Sequence, residues 1–199
     1  MHIVCTDLEG VLIPEVWIAV AEKTGIPELR LTTRDIADYD QLMRQRLQIL
    51  KDNRLTLRDI QDVISTMEPL DGALDFLDRV REATQVIIVS DTYIEFAKPF
   101  MKKLGWPTLF CHDLTTDASG TIIGYNLRQK EAKKHTVQAL KSLNYNVIAM
   151  GDSYNDTAML VEADHGILFR PPASVVDAFP QFPVCTEYKT LFQMISSFL

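Results

Sequence analysis

The stretch VCTDLEGVLIP, residues 4–14, places two carboxylates two positions apart at the end of a short apolar segment. Asp7 and Glu9 follow a run of β-prone residues, and Gly10 precedes a return to apolar residues. Acids just past a strand are often turn residues or helix caps. Whether this pair has a chemical role therefore depends on what the rest of the chain places beside it.

Short β-rich runs alternate with amphipathic helical patterns along most of the chain. The predicted strands are 2–6, 85–90, 146–150, 166–169 and 184–186, and the predicted helices are 71–83, 94–104, 131–143 and 188–198. Several of the strand candidates are continuously apolar, which is typical of strands covered on both faces. The alternation predicts an α/β fold with a Rossmann-like parallel sheet flanked by helices.

Two segments depart from this alternation. Residues 108–127 hold two β-prone runs around TTDASG and predict a small β-hairpin. Residues 14–70 carry helical patterns with almost no strand signal, and predict an inserted helical cap. We therefore expect a catalytic core formed by residues 1–13 and 71–199, with the cap setting substrate specificity.

Composition excludes several classes of function. The 199 residues carry a net charge of −7, which argues against nucleic acid as a partner. No apolar stretch is long enough to span a membrane, and none resembles a secretion signal. The three cysteines are widely spaced, so we expect a reducing, cytoplasmic location. The sequence does not reveal the oligomeric state, and a homodimer is left open.

Three predicted strands end in acids or a hydroxyl: Asp7 and Glu9, then Ser90-Asp91, then the run GDSYND, residues 151–156. In open α/β sheets ligands bind beyond the carboxyl ends of the strands. These groups suit phosphoryl transfer, in which a carboxylate attacks phosphorus and Mg²⁺ takes oxygen ligands. Asp7 and Asp152 are the expected metal ligands, and a lysine is needed to complete charge neutralisation.

The segments DLEGV, VSD and GDSYND, with a lysine between the last two, resemble the four motifs of the haloacid dehalogenase-like phosphotransferases. They occur in the family's order and span almost the whole chain. The cap and its position resemble phosphoserine phosphatases, most closely the phosphoserine–homoserine phosphotransferase branch. The resemblance implies a Mg²⁺-dependent phosphoserine phosphatase that forms an aspartyl-phosphate and also transfers the phosphoryl group to homoserine.

The resemblance assigns roles to the acids. Asp7 is the nucleophile and a metal ligand, and Asp152 is the second ligand. Glu9 is the general acid and then base, with its backbone carbonyl reaching the metal. Asp156 supports the metal waters or the lysine. The family usually has aspartate where Glu9 stands, and phosphoserine phosphatases commonly have a hydroxyl residue at the position of Gly10.

The phosphate-binding lysine is chosen among Lys130, Lys133 and Lys134, which lie close together near the start of the helix predicted from residue 131. Lys133 is preferred because AKKHTVQAL resembles the corresponding segment of phosphoserine phosphatases. One active-site lysine suffices, so the other two are interpreted as solvated surface residues.

The remaining substrate contacts come from both parts of the chain. On the core, Ser90, Asp91 and Asn155 are expected to bind the phosphorylated substrate. On the cap, Glu15 and Arg46 match positions that phosphoserine phosphatases use for the ammonium and carboxylate groups of the amino acid. Arginine suits the second task because its planar fork makes two hydrogen bonds to a carboxylate.

Other interpretations are kept open. The substrate can instead be a sugar phosphate, pyridoxal phosphate or a nucleotide, or the chain can be a phospho-accepting regulatory module resembling a receiver domain. Trp17 lies on an apolar helical stripe and is predicted to be core. The four histidines show no metal-ligand spacing.

Overall fold

The computed structural model describes residues 1–32, 35–36 and 38–199. In this part of the chain seven strands form one sheet in the order β4-β3-β2-β1-β5-β6-β7. The strands are β1 His2–Thr6, β2 Gln85–Tyr93, β3 Leu109–Thr116, β4 Ile122–Asn126, β5 Asn146–Gly151, β6 His165–Phe169 and β7 Val184–Cys185. All neighbouring pairs are parallel except β3 and β4, which form the predicted hairpin.

Helices occupy the connections between these strands. They are α1 Val16–Thr24, α2 Tyr39–Asp52, α3 Leu57–Ser65, α4 Ala73–Ala83, α5 Ile94–Lys103, α6 Ala132–Ser142, α7 Thr157–Glu162, α8 Ala173–Ala178 and α9 Tyr188–Ser196. Short 3-10 turns cover Pro27–Arg30 and Tyr154–Asp156. None of the helices in the described residues has the length and apolar character required to cross a bilayer.

The sheet is covered on both faces, as the continuously apolar strands predict. On β1, Val4 belongs to a core cluster with Phe76 and Phe100. Its neighbour Cys5 belongs to a second cluster with Val137 of α6. Because successive strand residues point to opposite faces, the sheet separates two apolar layers. The predicted α/β fold class, with its helical insertion and hairpin, is confirmed.

The structure differs from the sequence-based expectation at the end of one strand and in two short helices. Strand β2 continues beyond Ser90 to Tyr93, so Asp91 and Thr92 lie within it. The six-residue helices α7 and α8 were not predicted, because helices of this length show too little of the 3.6-residue period to be recognised.

The inserted helices α1–α3 pack on the core through their own apolar faces. Helix α3 begins with a reciprocal capping box between Thr56 and Asp59, which satisfies two backbone donors at its start. The N–H of Leu57 donates to the carbonyl of Gly120 in the β3–β4 turn, so the hairpin contacts the cap. The exact cap boundaries, residues 14 and 70, stay a prediction.

Candidate active site

The loop after β1 fixes Asp7 at the carboxyl end of the sheet. Its backbone N–H donates to Met150 of β5 at 3.0 Å, and its Oδ1 accepts the N–H of Leu8 at 2.8 Å. Gly10 has φ 76°, and a Cβ atom there would lie 2.6 Å from Cγ of Asp152. Glycine suits both this left-handed backbone and the close approach of Asp152, since a side chain at position 10 would require the Asp152 carboxylate to shift.

Three carboxylates converge at this point. Asp7, Asp152 and Asp156 are buried, and each offers an oxygen within 4.8 Å of the others. Both oxygens of Asp156 are held: Oδ2 accepts the N–H of Asp152 at 3.0 Å and that of Ser153 at 3.1 Å. Its Oδ1 accepts from Nζ of Lys133 at 2.7 Å. Asp156 thus orients the lysine and the loop that carries Asp152.

The ammonium group of Lys133 lies among the carboxylates, with the residue only 4% exposed. Nζ is 3.1 Å from Oδ1 of Asp7 and 3.5 Å from Oδ2 of Asp91. Lys130, by contrast, is exposed, and Lys134 is half-buried. The structure therefore brings Lys133, of the three candidates, into contact with the other predicted site residues.

The charges in this cluster are unbalanced. Burial and the nearby Asp156 raise the pKa of Asp7, and Lys133 offsets this only in part. Burial would lower the pKa of Lys133, but Asp156 and Asp7 hold it well above its ordinary value. Several carboxylates thus share one ammonium group. A hard divalent cation with oxygen ligands fits this donor set, because it supplies the missing positive charge.

Ser90, Asp91 and Asn155 complete the core side of the site. Oγ of Ser90 accepts the N–H of Thr92 at 3.2 Å, a contact that uses a lone pair and not the hydroxyl proton. Oδ2 of Asp91 accepts from Nδ2 of Asn155 at 2.9 Å. Burial alone would raise the pKa of Asp91, but Lys133 holds it below its ordinary value.

The side chain of Glu9 points towards the cap. Its Oε2 accepts the N–H of Val16, the first residue of α1, at 2.9 Å. Burial, followed by repulsion from Glu15, raises the pKa of Glu9 to about 7. Among the described residues its carboxylate is outside the group that can share a metal ion. A metal contact through its backbone carbonyl stays a prediction.

Arg46 of α2 lies at the cap end of the same cavity and is 6% exposed. Its guanidinium stacks over Trp17 at 4.5 Å from the ring centroid, and one terminal nitrogen donates to the carbonyl of Leu31 at 2.7 Å. Within the described residues, its Nε is the buried side-chain nitrogen that has no hydrogen-bond partner. Burial also lowers the pKa of Arg46. The guanidinium is therefore desolvated and incompletely paired.

A cavity of about 110 Å³ joins the core and cap groups. Nine of the ten predicted site residues line it, and the tenth, Asp156, contacts Lys133. Glu15, which directly precedes α1, lines the cap end with Arg46. A wider cavity of about 680 Å³ adjoins the first and shares with it Tyr39, Asp91, Lys133 and Asn155.

The sequence did not identify several residues that line the site. Thr92 and Tyr93 follow Asp91 on β2, and Tyr39 begins α2. The hydroxyl groups of Tyr39 and Tyr93 are 2.6 Å apart and connect cap to core. Thr92 and Tyr93 were recognisable only from their position after a strand-end motif. Trp17 is buried as predicted, but it also supports Arg46.

Comparisons with known proteins show the family to which the chain belongs. A family model described as haloacid dehalogenase-like hydrolase matches residues 1–164. The phosphoserine phosphatase ThrH of Pseudomonas aeruginosa is 59% identical over 191 residues, which cover 96% of this chain and 93% of that protein. A phosphoserine phosphatase of Pseudomonas syringae pv. tomato is 58% identical over 191 residues, covering 96% and 81% of the two chains.

Solved structures with low sequence identity share the fold. A substrate-bound phosphoserine phosphatase complex matches with a TM-score of 0.77 at 19% identity, covering 98% of this chain and 97% of the other. A phosphoserine phosphatase in its apo form matches with a TM-score of 0.76 at 21% identity, covering 94% and 93%. At these identities the likeness shows the arrangement of the chain alone.

Proposed function

The chain belongs to the haloacid dehalogenase-like hydrolases, in their phosphoserine phosphatase branch, and on that premise we propose that it hydrolyses O-phosphoserine through Asp7. It is thus an enzyme that acts on phosphomonoesters. The observation that carries the proposal is a single cavity lined by groups of both core and cap. Asp7 and Lys133, with Oδ1 and Nζ 3.1 Å apart, line one end of it, and Glu15 and Arg46 line the other. One end suits a phosphoryl group and the other an amino acid.

In the first step a carboxylate oxygen of Asp7 attacks phosphorus, and the bond between phosphorus and the serine oxygen breaks. Glu9 gives its proton to the departing oxygen, a task for which a pKa of about 7 is well suited. In the second step Glu9 takes a proton from water, which attacks the phosphoryl group on Asp7. The phosphorus–Asp7 bond then breaks and releases phosphate.

Fixed positive charge and hydrogen-bond donors stabilise the phosphoryl oxygens during both steps. Lys133 supplies an ammonium group, and Ser90 supplies a hydroxyl proton. Asp7 and Asp152 would hold Mg²⁺, with Asp156 in support. When bound, the ion supplies positive charge against the developing charge on the phosphoryl oxygens.

The cap groups favour an amino-acid phosphate over the other esters considered. Arg46 offers a desolvated guanidinium with a free Nε donor to a carboxylate, and Glu15 offers a carboxylate to an ammonium. A sugar phosphate or a nucleotide would present neither of these charged groups in this arrangement. A receiver-like regulatory module is not supported either, because the chain belongs to a hydrolase family.

The proposal includes transfer of the phosphoryl group to homoserine. Homoserine carries the same ammonium and carboxylate groups as serine, so Glu15 and Arg46 can hold it once serine has left. Its hydroxyl then replaces water as the attacking group, with Glu9 again accepting the proton. Whether the alcohol or water wins depends on how well the cap orients the alcohol and excludes water.

The test is an assay of O-phosphoserine with purified protein, first freed of metal by a chelator. We expect phosphate release to require added Mg²⁺ and to exceed that from a panel of sugar phosphates, pyridoxal phosphate and nucleotides. Adding homoserine should divert product into phosphohomoserine. Release of inorganic phosphate alone would restrict the function to hydrolysis, and faster turnover of another ester would overturn the substrate assignment.

A cytoplasmic location is part of the proposal. All three cysteines, Cys5, Cys111 and Cys185, are free thiols, as is usual in a reducing compartment. Formation of a homodimer stays a hypothesis, which analytical ultracentrifugation tests directly.

A further inference from the structure

His112 is a buried polar residue that the mechanism above does not use. It lies on β3 opposite Tyr93 of β2, and it is 4% exposed. A neutral imidazole in such a place needs a partner for each ring nitrogen, because one nitrogen donates and the other accepts. His112 has a neighbouring group for each ring nitrogen, Arg128 for Nδ1 and Asp91 for Nε2.

The backbone of the chain after β4 selects the tautomer of the His112 ring. Nδ1 lies 3.1 Å from the backbone nitrogen of Arg128, which donates its N–H to it. Because Nδ1 is an acceptor here, the proton of the neutral ring is on Nε2. Nε2 in turn faces Oδ1 of Asp91 at 3.6 Å. This distance exceeds a hydrogen bond, so the two atoms must move closer for the contact to form.

Asp91 is the residue through which His112 reaches the active site. Its Oδ2 accepts from Asn155 at 2.9 Å and lies 3.5 Å from Nζ of Lys133. The carboxylate also lines the cavity in which a phosphoryl group is proposed to bind. An ionised carboxylate at this position repels that group, so the expected part of Asp91 in substrate binding requires that its oxygens face N–H donors and the ammonium group of Lys133, which reduce the repulsion. The ring of His112 faces Oδ1, the oxygen that Asn155 and Lys133 do not contact.

On the basis of the proposed phosphatase function, we propose that His112 is a positioning residue for the phosphoryl end of the site. When a phosphate ester binds, its Nε2–H closes on Oδ1 of Asp91, so that Oδ2 stays on Asn155 and Lys133 and neither oxygen turns towards the phosphoryl group. The effect is independent of the leaving group, because Asp91 is on the core and not on the cap.

Two amide variants separate this role from a purely structural one. In H112Q the side-chain amide nitrogen takes the place of Nε2 and donates to Asp91. In H112N the amide oxygen takes the place of Nδ1 and accepts from Arg128, but the side chain is too short to reach Asp91. A positioning residue needs the first contact, whereas a residue that only stabilises the fold needs the second.

Steady-state kinetics are measured for both variants with O-phosphoserine and with p-nitrophenyl phosphate. We expect H112N to lose about 10- to 100-fold in kcat/KM on both esters, and H112Q to lose less than about tenfold. Inhibition by inorganic phosphate should weaken in H112N and not in H112Q. The reverse order, with H112N active and H112Q impaired, would overturn the proposal and leave His112 a structural residue.

The double variant D91N/H112N tests whether His112 acts through Asp91, even where H112N lowers the melting temperature. Asparagine at position 91 removes the charge that His112 is proposed to direct. H112N should therefore cost little when added to D91N, measured against D91N alone. A full additive loss would show that His112 does not act through Asp91 and would reject the proposal.

The test of His112 can be decided even if the proposed substrate, O-phosphoserine, is wrong. The comparison of H112N with H112Q uses p-nitrophenyl phosphate, which needs no contact with the cap. If the native protein hydrolyses this ester but not O-phosphoserine, the substrate assignment fails while the test of His112 is still decided by the two variants.

Discussion

The two ends of the active-site cavity are built differently. At the core end, Lys133 contacts Asp7 at 3.1 Å and Asp156 at 2.7 Å, and the acids are held by backbone N–H groups. At the cap end, Arg46 is buried over Trp17 with an Nε that has no partner within the described residues. The core groups are thus paired with one another without a ligand, whereas the cap end keeps a donor that the proposed substrate would engage.

This difference divides the expected effects of mutations. Changes at the core end should impair every phosphate ester, because all of them present the same phosphoryl group. Changes at the cap end should impair only esters whose leaving group carries an ammonium and a carboxylate. Comparing O-phosphoserine with p-nitrophenyl phosphate in each variant tests the division.

The largest effect is expected for Asp7→Asn. The amide is a poor nucleophile, so phosphate release from both esters should fall by roughly 10⁴-fold or more. The exposed Asp75 on α4 offers a matched control, and Asp75→Asn should behave as the native protein. Rapid quenching followed by intact mass measurement should detect a phosphorylated protein in the control and none in the variant. Persistent hydrolysis in Asp7→Asn would refute the covalent mechanism.

The next effect concerns the proton that Glu9 supplies. Glu9→Gln keeps an acceptor for the N–H of Val16 but has no proton to give, so turnover of O-phosphoserine should fall by about 10²- to 10⁴-fold. p-Nitrophenolate leaves without protonation, so the first step should still proceed with that ester. Stopped-flow absorbance should then show a burst of one p-nitrophenolate per protein, followed by slow release of phosphate.

The absence of a burst, with both esters slowed equally, would show that Glu9 acts on the first step in some other way. A burst in the native protein under the same conditions would show that water attack already limits turnover, so a native trace is recorded as the control.

Lys133→Met should reduce kcat/KM by about 10²- to 10³-fold on both esters, since it removes fixed positive charge facing the phosphoryl oxygens. It also removes the ammonium group that Asp7 and Asp156 contact, so the melting temperature should fall. The half-buried Lys134 provides the control, and Lys134→Met should retain native kinetics. Loss of activity in Lys134→Met but not in Lys133→Met would mean that the lysine motif has been assigned to the wrong residue.

The core end of the cavity could be predicted from the sequence to a greater extent than its contacts with the cap. Asp7, Ser90 and Asp152 were predicted to meet because the ends of parallel strands lie at one edge of a sheet. That rule needs only a parallel sheet, and in the structure β1 pairs in parallel with both β2 and β5, the strands that precede or carry these residues. The placement of Lys133 depended on a family resemblance, because Lys134 is beside it and Lys130 is three positions earlier, and this spacing does not distinguish one lysine from the others.

The residues that connect cap to core were not predictable in this way. Tyr39 and Tyr93 are 54 positions apart and meet through their hydroxyl groups only after the cap has packed on the sheet. His112 likewise depends on a backbone N–H supplied by Arg128 from the chain beyond β4. Such contacts are set by tertiary packing, and a single aromatic or histidine residue has no local pattern that reveals its partner.

The smallest and most selective effect is expected for Arg46. Arg46→Met keeps much of the buried stem but removes the guanidinium, so KM for O-phosphoserine should rise about 10- to 100-fold, as expected for a lost charge-assisted hydrogen bond. KM for p-nitrophenyl phosphate should change by less than about threefold, because that ester has no carboxylate to bind.

Stability separates this loss of recognition from damage to the cap. Arg46→Met loses the hydrogen bond to the carbonyl of Leu31, but it also removes the free-energy cost of burying a charged guanidinium. The two effects oppose each other, so the melting temperature should stay within a few degrees of native. The exposed Arg44, two positions earlier on α2, provides the matched variant Arg44→Met, which should leave both KM values unchanged. Equal increases in KM for the two esters would place Arg46 outside amino-acid recognition and would remove the distinction between the two ends of the cavity.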